Sequence, residues 1–470
     1  MSIPGRRGFL KTAIMGAAAV SCGRFARAAK PAGKPNIIFI LTDDMGWGDP
    51  KCFGHPFMKT PNIDRLAKEG TIFTQFYVNN PVCSPSRTAF MTGHFPARHR
   101  VHQHFATARQ NAARNMPNWL DPKAPTVTRL LQKAGYATGH FGKWHLSSMS
   151  IPNAPLPDKY GIDDCATRRT RPKWRGKIPY YRAKSTGIFV DETLRFIRAN
   201  KEMGKPFYVN LWTLVPHATL KPTPEELKEY ENLEVDPKQF TGYMRKYLAK
   251  APKLNPQMKV YCAAVTGMDK ALGRLFDELE KMHLAENTLV FFTSDNGPED
   301  YHVRNASNAG AGSPGVFRGR KRSLYEGGVR TSLVVRWPGR VKAARRDERS
   351  VITGVDWLPT VCKLAGIDVG DIKPDGEDVS DILTGKTRPR KKAIFWEWRG
   401  GIAGDRTYRP PKLAVRDGKW KFFVNPDGSG AELYDIPADG EERTNLAKKH
   451  PDTARRLKDK LLAWKKTLPG

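Results

Sequence analysis

The sequence predicts an α/β fold: a large mixed, mostly parallel sheet covered by helices on both faces, followed by a small C-terminal antiparallel sheet with a helix. Three observations carry this expectation. Asn36-Ile37-Ile38-Phe39-Ile40-Leu41-Thr42, Pro206-Phe207-Tyr208-Val209-Asn210-Leu211-Trp212 and Thr288-Leu289-Val290-Phe291-Phe292-Thr293 are apolar runs with little polar alternation. Such runs suit strands buried on both faces, the environment of a parallel sheet. Between them, residues 126–134, 187–199 and 260–282 repeat apolar positions at three and four, the period of helices packed on such a sheet. Beyond residue 370 the texture changes. Trp396-Glu397-Trp398, Leu413-Ala414-Val415-Arg416 and Lys419-Trp420-Lys421-Phe422-Phe423 read as short strands, with Asp417-Gly418 as a hairpin turn. Residues 452–467 read as a basic amphipathic helix. The expected organisation is a leader over 1–28, a main domain over 35–368 and a C-terminal subdomain over 369–470.

The 470 residues are 39% hydrophobic and include 11 Trp and 22 Phe, enough for a large core, so disorder of the whole chain is excluded. No run reaches the roughly 18 apolar residues of a membrane span. Arg6-Arg7-Gly8-Phe9-Leu10-Lys11, the small apolar stretch 12–20 and Ala26-Arg27-Ala28 give a charged region, a short hydrophobic region and an A-x-A cleavage site. Together they look like a twin-arginine export signal, with the periplasm or the extracellular space as destination. The formal charge of +32 falls to +27 once the five basic residues of that leader are removed. A field of that sign favours polyanions: nucleic acid, anionic membrane surface, or sulfated and phosphorylated polymers. Five cysteines remain after Cys22, namely Cys52, Cys83, Cys165, Cys262 and Cys362. None forms a C-x-x-C pair, which leaves a zinc knuckle or thioredoxin-like motif unsupported, and the odd number singles one out.

Polar residues gather where strands end. The run 36–42 leads into Asp43-Asp44, and 288–293 into Ser294-Asp295-Asn296-Gly297. In open α/β sheets ligands collect beyond the carboxyl ends of strands. Three carboxylates and an amide are oxygen donors, suited to Ca²⁺ or Mg²⁺ rather than zinc. Each pair taken alone equally suits turn formation and helix capping. In Val82-Cys83-Ser84-Pro85-Ser86-Arg87-Thr88-Ala89-Phe90-Met91-Thr92-Gly93, Pro85 marks a first helical turn, with Cys83 just before the helix N-terminus and Arg87 one turn along. A lone cysteine there also suits a small buried apolar residue.

Cys83-Ser84-Pro85-Ser86-Arg87 resembles the C-x-P-S-R signature of the sulfatases. Further blocks resemble that family in the same order: Thr42-Asp43-Asp44-Met45-Gly46-Trp47-Gly48-Asp49, Thr60-Pro61-Asn62-Ile63-Asp64-Arg65-Leu66-Ala67, Gly142-Lys143-Trp144-His145, Ser294-Asp295-Asn296-Gly297, Lys321 with Tyr325-Glu326-Gly327-Gly328, and Glu432-Leu433-Tyr434-Asp435. The resemblance covers residues 35–470 and implies hydrolysis of sulfate monoesters. It implies that a maturation enzyme oxidises Cys83 to formylglycine, whose hydrated form attacks sulfur and passes through a covalent sulfo-enzyme. It implies one divalent cation, Ca²⁺ ahead of Mg²⁺, held by Asp43, Asp44, Asp295, Asn296 and an oxygen at position 83. Arg87 would stabilise the nucleophile. Lys143, His217 and Lys321 would contact the sulfate, with His145 accepting the proton of the second hydroxyl and His217 protonating the departing alcohol. Glu326-Gly327-Gly328 is expected to be a structural turn relying on glycine's freedom. Cys52, Cys165, Cys262 and Cys362 are left for up to two disulfides of unread pairing.

Met45-Gly46-Trp47-Gly48-Asp49 with Asn80-Pro81 looks most like the N-acetylgalactosamine-6-sulfatase and arylsulfatase branch, so the implied substrate is a sulfated carbohydrate or aryl sulfate. Basic segments 168–184 and 318–322 are expected to flank the site as a rim that steers sulfated polymer, or simply as solvated loops. Residues 388–392 read as plain surface. Two rival classes remain: a phosphonate or phosphate ester hydrolase on the same constellation, and a non-catalytic polyanion-binding protein. Nucleic acid is disfavoured by the export signal and the lack of a recognition motif.

Overall fold

The computed structural model describes residues 33–469 apart from 149, 168, 169, 172, 173, 304, 305 and 402–405; the leader expected over 1–28 lies outside the described residues. The main sheet contains β1 (Asn36–Asp43), β2 (Thr71–Tyr77), β3 (Ala137–Gly142), β4 (Asp164–Ala166), β5 (Phe207–Pro216), β6 (Thr288–Ser294), β7 (Arg330–Arg336), β8 (Arg345–Asp347) and β9 (Ile352–Thr353). The order is β4-β3-β5-β1-β6-β7-β2-β8, with β9 also on β2. Only β7 runs against its neighbours, β6 and β2; every other pairing is parallel. The sheet is therefore mixed but mostly parallel, as expected.

Residues of β1 alternate between two cores. Ile37, Phe39 and Leu41 belong to one apolar cluster, Ile38 and Ile40 to another, and all five are fully buried. This is the pattern of a sheet covered on both faces, and it explains why the run lacks polar alternation. One cover is made by the helices Tyr181–Glu202 and Leu254–Lys281, both longer than their apolar repeats suggested. On the other face, Phe39 packs against Phe90 at 4.9 Å and Trp357 at 4.8 Å, from the helices Cys83–Thr92 and Trp357–Leu364. Burying a ring of this size contributes about 2–3 kcal/mol.

The second sheet is fully antiparallel, in the order β10 (Ile394–Glu397), β11 (Leu413–Asp417), β12 (Trp420–Val424), β13 (Glu432–Asp435). Gly418, at φ 60°, makes the expected hairpin turn. The helix Pro451–Lys466 covers this sheet through Leu457, Leu461 and Trp464, which share the core of Phe39. All five cysteines after Cys22 are free thiols, so the disulfides left open above are not formed among the described residues.

Candidate active site

Four adjacent strands, β3-β5-β1-β6, deliver the expected residues from their carboxyl ends: Lys143 and His145 after β3, His217 after β5, Asp43 and Asp44 from β1, Asp295 and Asn296 after β6. The parallel register sets Thr42 beside Ser294, so the two acidic strand ends meet by construction. Asp44, at φ 70°, donates its N–H to Asp295 Oδ1 at 3.2 Å, and Asp295 N–H donates to Thr42 O at 3.1 Å. Asn296 Nδ2 donates to Asp44 Oδ1 at 2.8 Å.

Cys83 and Arg87 come from beneath, on a ten-residue helix buried along its whole length. The helix begins at Cys83 itself, one residue earlier than the Pro85 signal implied, and no side chain of Val82 caps it. Its first amides and dipole therefore favour negative charge at Cys83. Arg87, four residues on, shares that face. Fully buried, it donates from Nε and Nη2 to Asp295 Oδ2 at 3.0 and 2.7 Å and from Nη1 to Lys143 O at 2.7 Å, and its guanidinium lies 5.0 Å from the Trp212 ring. Burial opposes the charge, but Asp295 and Asp43 overcome it and hold Arg87 protonated.

Lys143 Nζ donates to both oxygens of Asp43 at 2.8 and 2.7 Å. The segment leaves the extended conformation before it reaches the site. Gly142 sits at φ 121° where any Cβ would collide with Trp212 O, and His145 at φ 54° turns its ring back. Cys83 Sγ lies 3.1 Å from His145 Nδ1, and His145 Nε2 donates to Phe105 O at 3.1 Å. Burial, then Lys143 and Arg87, lowers His145 to about 3, so its ring is neutral. With Nε2 protonated towards Phe105, Nδ1 faces position 83 as an acceptor.

On the opposite side Lys321 Nζ donates to Asp44 Oδ2 at 2.5 Å and lies 3.3 Å from Glu299 Oε2. Burial works against its charge, yet Asp44 and Glu299 raise its pKa. Glu299 also takes Arg322 at 2.5 Å. His217 Nε2 is 3.7 Å from Asp44 Oδ2, and burial lowers it to about 4. Arg182 donates to the carbonyls of His217 and Ala218. Glu299 and the Phe105 carbonyl escaped sequence reading, since each acts through a neighbour brought close only by the fold, whereas Arg182 and Arg322 were expected only as members of the basic segments flanking the site.

The donor set fits a hard divalent cation. Donor atoms of Asp43, Cys83 and Asp295 lie within 4.8 Å of one another, and Asn296 Oδ1 is buried with no hydrogen-bond partner. Burial opposes ionisation of Asp43, but Lys143, His217, Arg87 and Lys321 hold it well below the usual carboxylate range. Burial lifts Asp295 to about 8 against the pull of Arg87. Three carboxylates face Arg87, Lys143 and Lys321, while Glu299 and Arg322 form a further pair. A divalent cation added to these groups would leave net positive charge, which suits an anionic ester.

A cavity of about 440 Å³ opens over these groups, with Asp43, Lys143, His145 and His217 at its base and Ser147, Leu156 and Arg182 among its walls. The steering rim is only partly there. Arg182 lines the cavity, but segment 318–322 is no solvated loop: Arg320 is 2% and Lys321 6% exposed. Residues 388–392 also depart from plain surface, because Arg390 Nη1 and Nη2 clamp buried Asp356 at 2.5 and 2.8 Å. Gly327 and Gly328 are required by space rather than by positive φ, since a Cβ on either would meet backbone oxygen of residues 319 or 323.

A family model described as Sulfatase matches residues 35–367, and one described as N-sulphoglucosamine sulphohydrolase, C-terminal, matches residues 312–467. The N-acetylgalactosamine-6-sulfatase of Homo sapiens is 30% identical over 413 residues, covering 77% of this chain and 72% of its own. The N-acetylgalactosamine-6-O-sulfatase of Bacteroides thetaiotaomicron is 25% identical over 520 residues, covering 91% and 92%. Among solved structures, Ps i-CgsB in complex with k-i-k-neocarrahexaose superposes with a TM-score of 0.73 at 24% identity, covering 92% of this chain and 93% of that one, which shows a shared fold.

Proposed function

From the premise that this chain belongs to the sulfatase family and is a sulfuric ester hydrolase, we propose that it cleaves a 6-O-sulfate from a sulfated amino sugar, with position 83 as nucleophile and a Ca²⁺ ion as cofactor. The observation that carries this reading is the placement of Cys83, buried at a helix start, 3.1 Å from the acceptor nitrogen of His145 and grouped with Asp43 and Asp295. Cys83 oxidised to formylglycine would supply an oxygen nucleophile, and a cation held by Asp43, Asp44, Asp295 and Asn296 would supply Lewis-acid stabilisation of negative charge.

The chain's own residues do the rest. Arg87 and the first amides of its helix stabilise negative charge at position 83. His145 Nδ1 accepts a proton from that position. Lys143 and Lys321 bind sulfate oxygens by charge-assisted hydrogen bonds, and Glu299 fixes Lys321. His217, held at its backbone by Arg182, faces the cavity; taking up a proton when the anionic ester binds, it would pass that proton to the leaving alcohol. The amino-sugar assignment is supported by the two relatives named above. Under the same reading residues 1–28 export the chain by the twin-arginine route, 35–368 form the catalytic domain and 369–470 its C-terminal subdomain.

Sulfate release is measured from N-acetylgalactosamine 6-sulfate, from an aryl sulfate and, in parallel, as turnover of a phosphodiester. The expected order places the sugar sulfate first, with all turnover lost in Cys83→Ala. Faster phosphodiester cleavage would favour the phosphate-ester reading, and activity surviving in Cys83→Ala would remove position 83 from the chemistry.

A further inference from the structure

A second cavity, of about 630 Å³, lies apart from the catalytic groups and is lined by Tyr243, Lys246, Tyr247, Lys250, Tyr301 and Tyr408, with His302 at its edge. One wall is the helix Gly242–Leu248 and the residues just after it. Tyr243, Lys246, Tyr247 and Lys250 stand at i, i+3, i+4 and i+7, so a single helical face presents tyrosines and lysines together. The tyrosines form a connected aromatic layer: Tyr247 to Tyr301 at 4.5 Å, Tyr243 to Tyr408 at 6.2 Å and Tyr247 to Tyr408 at 6.4 Å between ring centroids. Tyr247 is fixed by accepting from Tyr301 N–H at 2.8 Å and donating to Gly310 O at 3.1 Å.

The charge of this groove is one-sided. Among the described residues no carboxylate lines it. Lys246 and Lys250 are exposed, and neither makes an ion pair among the described residues, whereas most cations around the catalytic centre are paired. Beneath the rings the Arg318 guanidinium lies 5.8 Å from Tyr243, and the buried Arg320 guanidinium lies 4.0 Å over Tyr247. Arg320 and Lys321 are consecutive, and Lys321 reaches the other way, to Asp44. The backbone between them separates the groove from the catalytic centre.

Partly exposed Tyr243 and Tyr301, backed by buried Tyr247 and Tyr408, stand beside unpaired ammonium groups and suit a ligand with apolar ring faces and fixed negative charges. A sulfated sugar chain has both: pyranose C–H faces that pack on aromatic rings, and sulfate esters that pair with lysine. We propose that this groove is a second, non-catalytic binding site for sulfated polysaccharide, holding the polymer while another part of it enters the catalytic cavity. The inference rests on the reading that the substrate is a sulfated carbohydrate.

The test compares the wild type with Tyr243→Ala/Lys246→Ala and, as a surface change that leaves the aromatic layer intact, Lys246→Glu/Lys250→Glu. Native gels containing heparin, chondroitin 6-sulfate or ι-carrageenan measure retardation, with unsulfated chondroitin as control. Kinetics compare a sulfated polymer with a monosaccharide sulfate. Expected are retardation of wild type by at least one sulfated polymer, about tenfold weaker in both variants, and kcat/KM reduced about tenfold on polymer but unchanged on the monosaccharide. Equal retardation of wild type and variants, or no retardation of wild type by any of the three, would overturn the proposal. So would a variant that loses monosaccharide turnover equally, or stronger retardation by a single-stranded oligonucleotide. Failure of the catalytic reading shows separately, as a wild type that releases no sulfate from any carbohydrate.

Discussion

Arg87 gives the sharpest test of how the site is assembled. Replacing it by Met keeps the bulk of the side chain and removes its charge and donors. Asp295 Oδ2 then loses bonds of 3.0 and 2.7 Å, Lys143 O loses one of 2.7 Å, and Asp43 loses a cation 3.8 Å away. The Arg87 and Asp295 side chains are 0% exposed, so water cannot replace what is lost. Breaking a buried pair by removing one partner costs about 3–5 kcal/mol, here through the bonds lost and the cost of leaving Asp295 either charged without a partner or protonated in burial. The assay is urea denaturation followed by tryptophan fluorescence on chelator-treated protein, so that cation binding does not alter apparent stability. Arg87→Met should lose about 3–5 kcal/mol, and adding Asp295→Asn should restore all but about 1 kcal/mol by replacing the unpartnered carboxyl with a neutral amide. Activity should stay absent in the double variant. A single variant losing less than about 1 kcal/mol, or a double variant that turns over, would refute the coupling described here.

Chelation should abolish turnover and Ca²⁺ restore it, with Asn296→Ala needing about tenfold more Ca²⁺ at half-recovery; activity indifferent to chelation would contradict the donor set. His145→Ala should lower kcat/KM by about 10²–10⁴-fold with the thermal midpoint little changed, since its role is proton acceptance. Lys421, buried between Glu326 Oε1 at 2.8 Å and Glu442 Oε1 at 3.1 Å, should cost about 3 kcal/mol or more when changed to Met. Burial opposes ionisation of Glu326, yet Lys421 and Arg330 lower it to about 2 from 4.5. Folding therefore favours its charged form, and this contribution is present above pH 4.5 and lost as pH falls towards 2. A melting series across that window should show a steeper acid loss for wild type than for Lys421→Met.

The strands β1, β5 and β6 were legible because both faces of each are buried, which removes polar residues and leaves unbroken apolar runs. Their convergence on Asp43, Asp44, Asp295 and Asn296 followed from one register, since parallel neighbours end together. The same logic could not find β7. Arg330-Thr331-Ser332 opens it with polar residues, and Arg330 is taken up by Glu326 and the carbonyl of Thr74. The helix start at Leu254 was missed because its first turn, Leu254-Asn255-Pro256, carries no apolar period. Segment 318–322 misled because charge in sequence says nothing of depth: Arg320 is satisfied by the carbonyls of Glu299, Gly310 and Gly312, a cage made by distant loops. Glu326 is a comparable case, a carboxylate beside two glycines whose purpose appears only when Lys421 of β12 arrives beside it.

The central claim, that position 83 is the reacting group, is tested most directly by the mass of the tryptic peptide spanning residues 69–87 from an active preparation made in the native host. An aldehyde in place of the Cys83 thiol is the result this account requires. An unmodified thiol in a preparation that releases sulfate would contradict it.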